Sequence, residues 1–274
     1  EIGTNAVFNT LLQDRDLLTR DFPFEKITVD DFPDAIDLDF VIPYVIGTAK
    51  KIPLALIKAQ KTPSIQYQYL VGRHDLTVDV VYRDNLVISE FLGTAQSGTA
   101  NSIKLAASDT ENDDFYNKLF VLITAGTGSG QVRKITDYVK STKIASVDTN
   151  WTTTPDATSV YAIREWKKIL LTINSITYTA IEFAIAQRIN DRFFDRSRVS
   201  ADITGLQTER NPSEALKSLL TLAGSNINGA EFTTQAVNVP SGLVIDGAAT
   251  EPTSFFDTLN EIALIGRIRL TRNS

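Results

Sequence analysis

Chemistry in a protein chain needs nucleophiles, general bases or metal ligands at workable spacing, and this chain offers few. It has no cysteine and a single histidine, His74. Without cysteine there is no thiolate catalysis, no disulfide and no thiolate metal site. His74 is followed by Asp75, a pair that could relay a proton or ligate a metal. A hydrolytic metal site needs several histidines or carboxylates at helical or strand spacing. No Gly-x-Ser-x-Gly elbow supplies a nucleophile either, so the pair reads as the start of a strand.

Two acidic clusters could hold Ca²⁺ through oxygen ligands. One comprises Asp30, Asp31, Asp34, Asp37 and Asp39, the other Asp109, Glu111, Asp113 and Asp114. Neither has the EF-hand spacing with its central glycine and terminal glutamate, so both read as solvated loops. A glycosidase-type carboxylate pair stays open, because separation in space is invisible in sequence. The run Gly126-Thr127-Gly128-Ser129-Gly130 invites a phosphate. Phosphate loops need a helix N-terminus behind them, whereas Val132–Thr136 alternates like a strand, so a hairpin loop is expected. Trp151 could be a sugar platform, but beside a turn it reads as the cover of a small core. No catalytic, cofactor-binding or metal-ligating residue is assigned, no cofactor is implied, and the chain reads as a non-enzymatic scaffold or binding module.

The charge balance agrees with that reading. The net charge is −6 at pH 7 over 274 residues. Nucleic-acid binders draw most of their affinity from phosphate neutralisation by a basic stripe. Here the one basic loop, Arg188, Arg192, Arg196 and Arg198, is interleaved with Asp191 and Asp195, and no nucleic-acid signature follows. No apolar run reaches the length of a membrane span. The chain starts at Glu1 without a methionine or a signal-peptide pattern and stops at Ser274 just after a strand. A processed form or a fragment is expected.

The elements that would position side chains are mainly strands. The expected fold is mainly β (α+β): a discontinuous β-barrel-like host domain over 1–92 and 164–205, an inserted small β-sandwich or barrel module over 93–163, and an α+β segment with two helices, an incomplete domain, over 206–274. Phe8, Leu11, Leu12, Leu17 and Leu18 suggest a short helix or arm. In the host, Glu25–Val29, Asp75–Arg83, Leu86–Phe91 and Val199–Ile203 read as strands. In Asp75–Arg83, Leu76, Val78 and Val80 are expected to point one way. Trp166–Ile173 and Ile176–Ile185 form a hairpin around Asn174-Ser175. The module is rich in Gly, Ser and Thr, with strand-like runs at Ser102–Leu105, Leu119–Thr124, Val132–Tyr138, Thr142–Val147 and Ser159–Ile163. Asn211, Pro212 and Glu214 form the N-cap, N1 and N3 of a helix that Gly224 ends. A second helix spans about Thr253–Ile265, ended by Gly266, and Arg267–Thr271 is a strand.

Several of these segments resemble bacteriophage proteins. Gly93–Ala100 with Ser102–Leu105, Gly126–Gln131, Arg133–Ile135 and Asp148–Ser159 resemble a β module common in phage virion proteins. Ile42-Pro43-Tyr44-Val45-Ile46-Gly47, Lys51–Leu54, Val199–Gly205, Asn211–Ala215, Leu243–Gly247 and Phe255–Leu270 are similar to segments of tail-tip or baseplate hub proteins. The resemblance implies a structural component made in the bacterial host cytoplasm and located in the virion. It would be a hub that forms a homo-oligomeric ring and joins the tail tube to other tail proteins such as the distal tail, spike or fibre, with a possible host-surface glycan contact through 93–163. The alternatives are a receptor-binding or fibre-attachment protein, and a tail-associated glycan hydrolase. The resemblance carries no catalytic residue to any matched position.

Overall fold

A computed structural model describes residues 7–10, 21–60, 66–185, 198–224, 232–233, 236–237, 239, 244–250, 253–265 and 269–272. Leu11, Leu12, Leu17, Leu18, Arg188, Arg192, Arg196, Leu243, Gly266 and Arg267 lie outside the described residues. Among the described residues the fold is mainly β, with two helices and several sheets, none closed into a barrel. The barrel-like host expected from sequence is instead two open four-stranded sheets.

The first of these sheets runs in the order Trp166–Ile173, Ile176–Phe183, Gln66–Arg73, Ala55–Gln60. The second runs Thr48–Pro53, Val199–Thr204, Thr77–Arg83, Leu86–Val87. Every pairing is antiparallel. The Thr48–Pro53 strand passes from one sheet to the other through Leu54 alone. Between the sheets lies one core containing Ile52, Leu56, Tyr67, Tyr69, Val81, Trp166, Phe183 and Ile203. The far face of the first sheet is also covered, since Ile27, Phe32 and Ile42 from the 25–42 segment pack on Ile57, Leu70, Tyr178 and Ala180. Glu25–Val29 makes only one bridge, Lys26 to Val41, rather than a strand.

Tight turns set the register. Asp84-Asn85 and Asn174-Ser175 join their hairpins with positive φ at both turn residues, the mirror-image turn whose twist matches that of the strands. The expected alternation of Leu76, Val78 and Val80 breaks partway. The register shifts between Asp202 and Ile203, where Asp202 faces Val80 and Ile203 faces Val78. One residue is left unopposed, and beyond the bulge the buried side chain is Val81, not Val80. Asp202 sits at this bulge, 5% exposed. Its carboxylate accepts from the Lys51 N–H at 2.9 Å, the Lys50 ammonium at 3.0 Å and the Tyr82 hydroxyl at 3.0 Å.

Residues 91–164 build one seven-stranded antiparallel sheet. Its order is Ser97–Thr99, Ser102–Lys104, Ile144–Val147, Val132–Val139, Phe120–Ala125, Val160–Arg164, Phe91–Thr94. The outermost strands are neighbours in the chain, parted by Ala95 and Gln96. The Ala95 N–H donates to Ser159 O, while the Gln96 N–H donates to Lys104 O. The strand therefore bends from one edge of the sheet to the other. Val132–Val139 makes the opposite corner, pairing first with Phe120–Leu122 and then, past a register break, with Ile144–Val147. Strands that switch partners at bends let a single sheet fold over its own core. That core holds Ile103, Leu105, Tyr116, Val121, Ile123, Ile135, Tyr138, Trp151, Tyr161 and Ile163. The sheet begins at Phe91, two residues before the composition shift at Gly93.

The helices Pro212–Leu222 and Phe255–Ile265 pack on Phe22, Tyr44 and Ile46. Asn211 caps the first, its side chain accepting from the Ser213 N–H at 2.9 Å, and Gly224 follows its end at φ 78°. Thr253–Ser254 is a short strand against Asp21–Phe22. Arg269–Arg272 pairs in parallel with Val7–Thr10.

Burial raises the Asp202 carboxyl, but its hydrogen bonds from Lys51, Lys50 and Tyr82 outweigh that and hold it below the ordinary carboxylate value. Its stabilisation is thus present above the unfolded value of about 4 and is lost as pH falls through the lower folded value. Asp202→Ala leaves the Lys51 N–H and the Tyr82 hydroxyl without an acceptor. The expected loss at pH 7 is about 1–3 kcal/mol in urea unfolding, shrinking as the solution is acidified. A loss that stays constant down to strongly acid pH contradicts this role.

Candidate interaction surface

The residues with chemical potential are drawn apart rather than together. His74 lies in the turn before Thr77–Arg83, at φ 75°. Its N–H donates to Thr177 O at 2.8 Å and its carbonyl accepts from Thr179 Oγ1 at 2.7 Å. The ring stands edge-on to Tyr44, 5.7 Å between centroids. Burial, then the neighbouring Arg73 charge, pushes its pKa below the ordinary histidine value. Asp75 turns away and pairs with Lys168. The two residues therefore form no dyad.

Within the acidic loops, Asp37 and Asp109 are tied into the fold, while Asp30, Asp34, Asp39 and Asp113 are exposed. Asp37 accepts from the Leu56 N–H at 2.7 Å. Asp109 accepts from the Tyr138 hydroxyl at 2.6 Å and from Tyr116 at 2.7 Å. Burial first, and then this carboxylate, pushes both phenols far above the ordinary tyrosine value. Among the described residues no group of three His, Asp or Glu stands where it could hold a metal ion.

The glycine loop joins two strands, as expected, and no helix follows it. Gln131 secures it, donating to Gly128 O and Thr153 O and accepting from the Thr152 and Thr153 N–H groups. Trp151 is 5% exposed, with its indole N–H on Ser102 O and the Arg133 guanidinium over its ring. It covers the module core and offers no open face to a sugar.

Three segments far apart in sequence do meet. Tyr44–Ile46 pairs antiparallel with Gly247–Ala249 on one side. On the other, the Leu206 N–H donates to Val45 O, the Gly47 N–H to Leu206 O, and the Gly205 N–H to Gly47 O. Side chains lock the seam. Asp246 accepts from the Thr48 N–H at 3.0 Å and from Arg210 at 2.8 Å, and Tyr44 donates to Glu209 at 2.8 Å. A Cβ at Gly205 would lie 2.3 Å from Val45 O, and Gly47 at φ 62° lies against Asp246. Neither position accepts a larger residue without moving backbone. Beside the seam is a mostly apolar cleft of about 390 Å³, lined by Phe22, Tyr44, Ile46, Leu219, Ala249 and Ile262 among others.

Two further concavities flank the module. A groove of about 520 Å³ lies where the module meets the host sheets, bordered by Arg83, Leu86, Val87, Phe115 and Arg164. Leu86 is 74% exposed and Val87 60%. Its walls are tied by the Arg83–Glu165 and Arg164–Glu90 ion pairs and by the Arg164 guanidinium 3.6 Å from the Trp166 ring centroid. A polar cleft of about 320 Å³ on the module is lined by Glu90, Ser108, Thr110, Glu111 and Tyr161. No helix among the described residues is long and apolar enough to cross a membrane.

Sequence reasoning missed the pairing of Tyr44 with Glu209, since nothing local links positions so distant. Burial pushes the Glu209 carboxyl above its ordinary value, and hydrogen bonds from Tyr44 and Ser218 draw it partly back. Ionised Glu209 therefore weakens the fold increasingly as pH rises from the unfolded value of about 4.3 through the raised folded value. Tyr44→Phe removes a donor to that carboxylate, with an expected cost of about 1.5–3 kcal/mol at neutral pH. The cost should be smaller below pH 4, where the carboxyl is neutral. Urea midpoints across pH measure it, and a pH-independent cost would contradict the assignment.

Comparison with known proteins finds no matching family model, no matching curated protein and no matching solved structure.

Proposed function

We propose that the chain is a non-enzymatic structural protein of a bacteriophage virion, a tail-tip or baseplate hub that assembles as a homo-oligomeric ring and joins the tail tube to a distal spike or fibres. The observation that carries this reading is the seam. The segments that resemble hub proteins, Ile42–Gly47, Val199–Gly205 and Leu243–Gly247, contribute Tyr44–Gly47, Gly205 and Ile245–Gly247 to one hydrogen-bonded junction. Thr48 and Asp246, joined there, lie 198 positions apart in sequence. Segments that serve one shared structural task are expected to meet in this way.

A scaffold role also suits the carboxylates that secure edges, bulges and seams, Asp37, Asp202 and Asp246 among them. Ring assembly uses different faces of each subunit that close on rotation. The seven-stranded module enters and leaves the host through adjacent antiparallel strands, Phe91–Thr94 and Val160–Arg164. A unit with adjoining ends can sit on a surface loop without disturbing the host core, and we place it on the outside of the ring.

The test is the position and symmetry of the full-length protein in purified virions. A closed ring of this chain at the tail end, seen by electron microscopy with the chain located by antibody, is the expected result. A strictly monomeric full-length protein in virion extracts overturns the reading.

A second reading, receptor binding by the module, is favoured by the polar cleft beside Glu111 and Tyr161. On a glycan array, saturable binding that Glu111→Ala abolishes would establish it, and an array without saturable binding would remove it.

A further inference from the structure

A strand at the edge of a sheet presents unpaired N–H and C=O groups, and proteins cover, shorten or distort such edges to prevent unwanted pairing. Three of the four edges of the two host sheets are treated in this way. At Ala55–Gln60 the acidic loop closes the edge: Asp37 accepts from the Leu56 N–H, and Leu56 O accepts from the Ile36 and Asp37 N–H groups at 3.0 and 3.1 Å. At Thr48–Pro53 the register breaks opposite Asp202, Lys51 takes a positive φ of 51°, and its N–H is taken by that carboxylate. Leu86–Val87 is only two residues long.

The fourth edge, Trp166–Ile173, is eight residues long, and among the described residues only its first carbonyl is covered, Trp166 O accepting from Arg164 Nε at 3.1 Å. Its hairpin fixes which backbone groups face outward. Ile173 and Ile176 flank the two-residue turn and pair with one another, so the odd-numbered residues bond inward. The partner strand agrees, since Thr177 O, opposite Thr172, points away toward the His74 N–H. The N–H and C=O groups of Lys168, Leu170 and Thr172 therefore point out of the sheet.

We propose that Trp166–Ile173 is a homotypic docking edge that pairs antiparallel with the same strand of a second copy, about a two-fold axis at Leu170. In this register Leu170 faces Leu170, and Lys168 faces Thr172 in both directions. Lys168, Leu170 and Thr172 each meet another outward-facing residue, and each such pair exchanges two backbone hydrogen bonds, while Trp166, whose carbonyl accepts from Arg164, lies beyond the paired stretch. The charges select the same axis. Centring on Lys168 sets two ammonium groups opposite one another, which is unfavourable across strands. Centring on Thr172 runs Lys168 past the end of the partner strand at the Asn174-Ser175 turn. With the axis at Leu170, each Lys168 faces a neutral threonine and keeps its own partner, Asp75.

Side chains support the same join. Ile169, Leu171 and Ile173 are partly buried against the core under the 25–42 segment. The two-fold register sets Ile169 beside the second copy's Leu171, so the apolar stripe continues across the junction. On the other face, Leu170, 49% exposed, is covered by its own counterpart. The two four-stranded sheets become one of eight strands. The inference does not rest on the virion reading. Combined with a ring, a two-fold contact of this kind stacks two rings back to back.

The test uses the full chain in analytical ultracentrifugation, with hydrogen exchange on the same sample. The wild type is expected to form the two-fold assembly, with slow exchange at the Lys168, Leu170 and Thr172 amides. Leu170→Pro removes an outward N–H that the fold itself does not use, a placement edge strands accept. Leu170→Lys sets two ammonium groups on the axis. Each is expected to halve the sedimenting mass with an unchanged far-UV spectrum and to restore fast exchange at Lys168 and Thr172. If Leu170→Pro unfolds, Leu170→Lys and the exchange pattern decide. A monomeric wild type at every concentration, or an assembly whose mass survives Leu170→Lys, overturns the proposal.

Discussion

The backbone of Tyr44–Gly47 is shared by three parts of the molecule, and the arrangement of the rest follows from that sharing. A strand has two edges. Here one is given to Gly247–Ala249 and the other to Gly205-Leu206, the segment leaving the Val199–Thr204 strand. The same residues lead directly into Thr48–Pro53, which carries the second host sheet. The helices therefore cannot shift relative to the sheets without breaking backbone hydrogen bonds. Close approach on this scale requires glycine. At Gly205 the neighbouring carbonyl already occupies the place of a side chain, and at Gly47 both the positive φ and the Asp246 carboxylate exclude one. Arg210 completes the lock by joining Asp246 to the turn before the first helix.

Much of this architecture was legible in sequence, and the legible parts share a cause. The helix at Pro212–Leu222 was announced by Asn211, Pro212 and Gly224, residues whose backbone preferences act within one turn. Asn174-Ser175 marked its hairpin for the same reason. The glycine loop could be separated from a phosphate site because the test, strand or helix afterwards, is also local. Five of the module's seven strands are bounded by turns and could be read to within a residue or two, whereas Phe91–Thr94 and Ser97–Thr99, which bend from one edge to the other, were not distinguished.

What sequence could not show is almost entirely non-local. The bulge at Asp202 reverses the facing of Thr77–Arg83 halfway along, and its cause lies in Lys50 and Lys51 on a different strand, about 150 positions away. Asp109 read as one acid among several, yet it organises one end of the module core through two tyrosines. Asp37 closes a sheet edge. These carboxylates are structural because each receives donors that would otherwise lack partners, and unpaired donors are costly once buried. The barrel expected for the host failed for a related reason. Strand count and alternation are local properties, whereas closure depends on how far strands tilt and stagger around an axis.

The same contrast between covered and uncovered polar groups gives the molecule its direction. Aspartates, a bulge and strand length deal with three sheet edges, and the module disposes of its own edges by bending one strand from the first edge to the last. Hydrogen-bonding capacity left over in such a structure is localised, because each device acts only on its own strand. Trp166–Ile173 differs from the other edges in lacking a bulge, in lacking a covering loop among the described residues, and in its length. Its two lysines are held along the sheet by Glu182 and Asp75, so their charge is directed away from the open backbone. An edge lysine discourages pairing when its charge projects over the edge. Paired in place, it leaves the strand available, and the spacing of Lys168 and Thr172 about Leu170 then determines which strand fits.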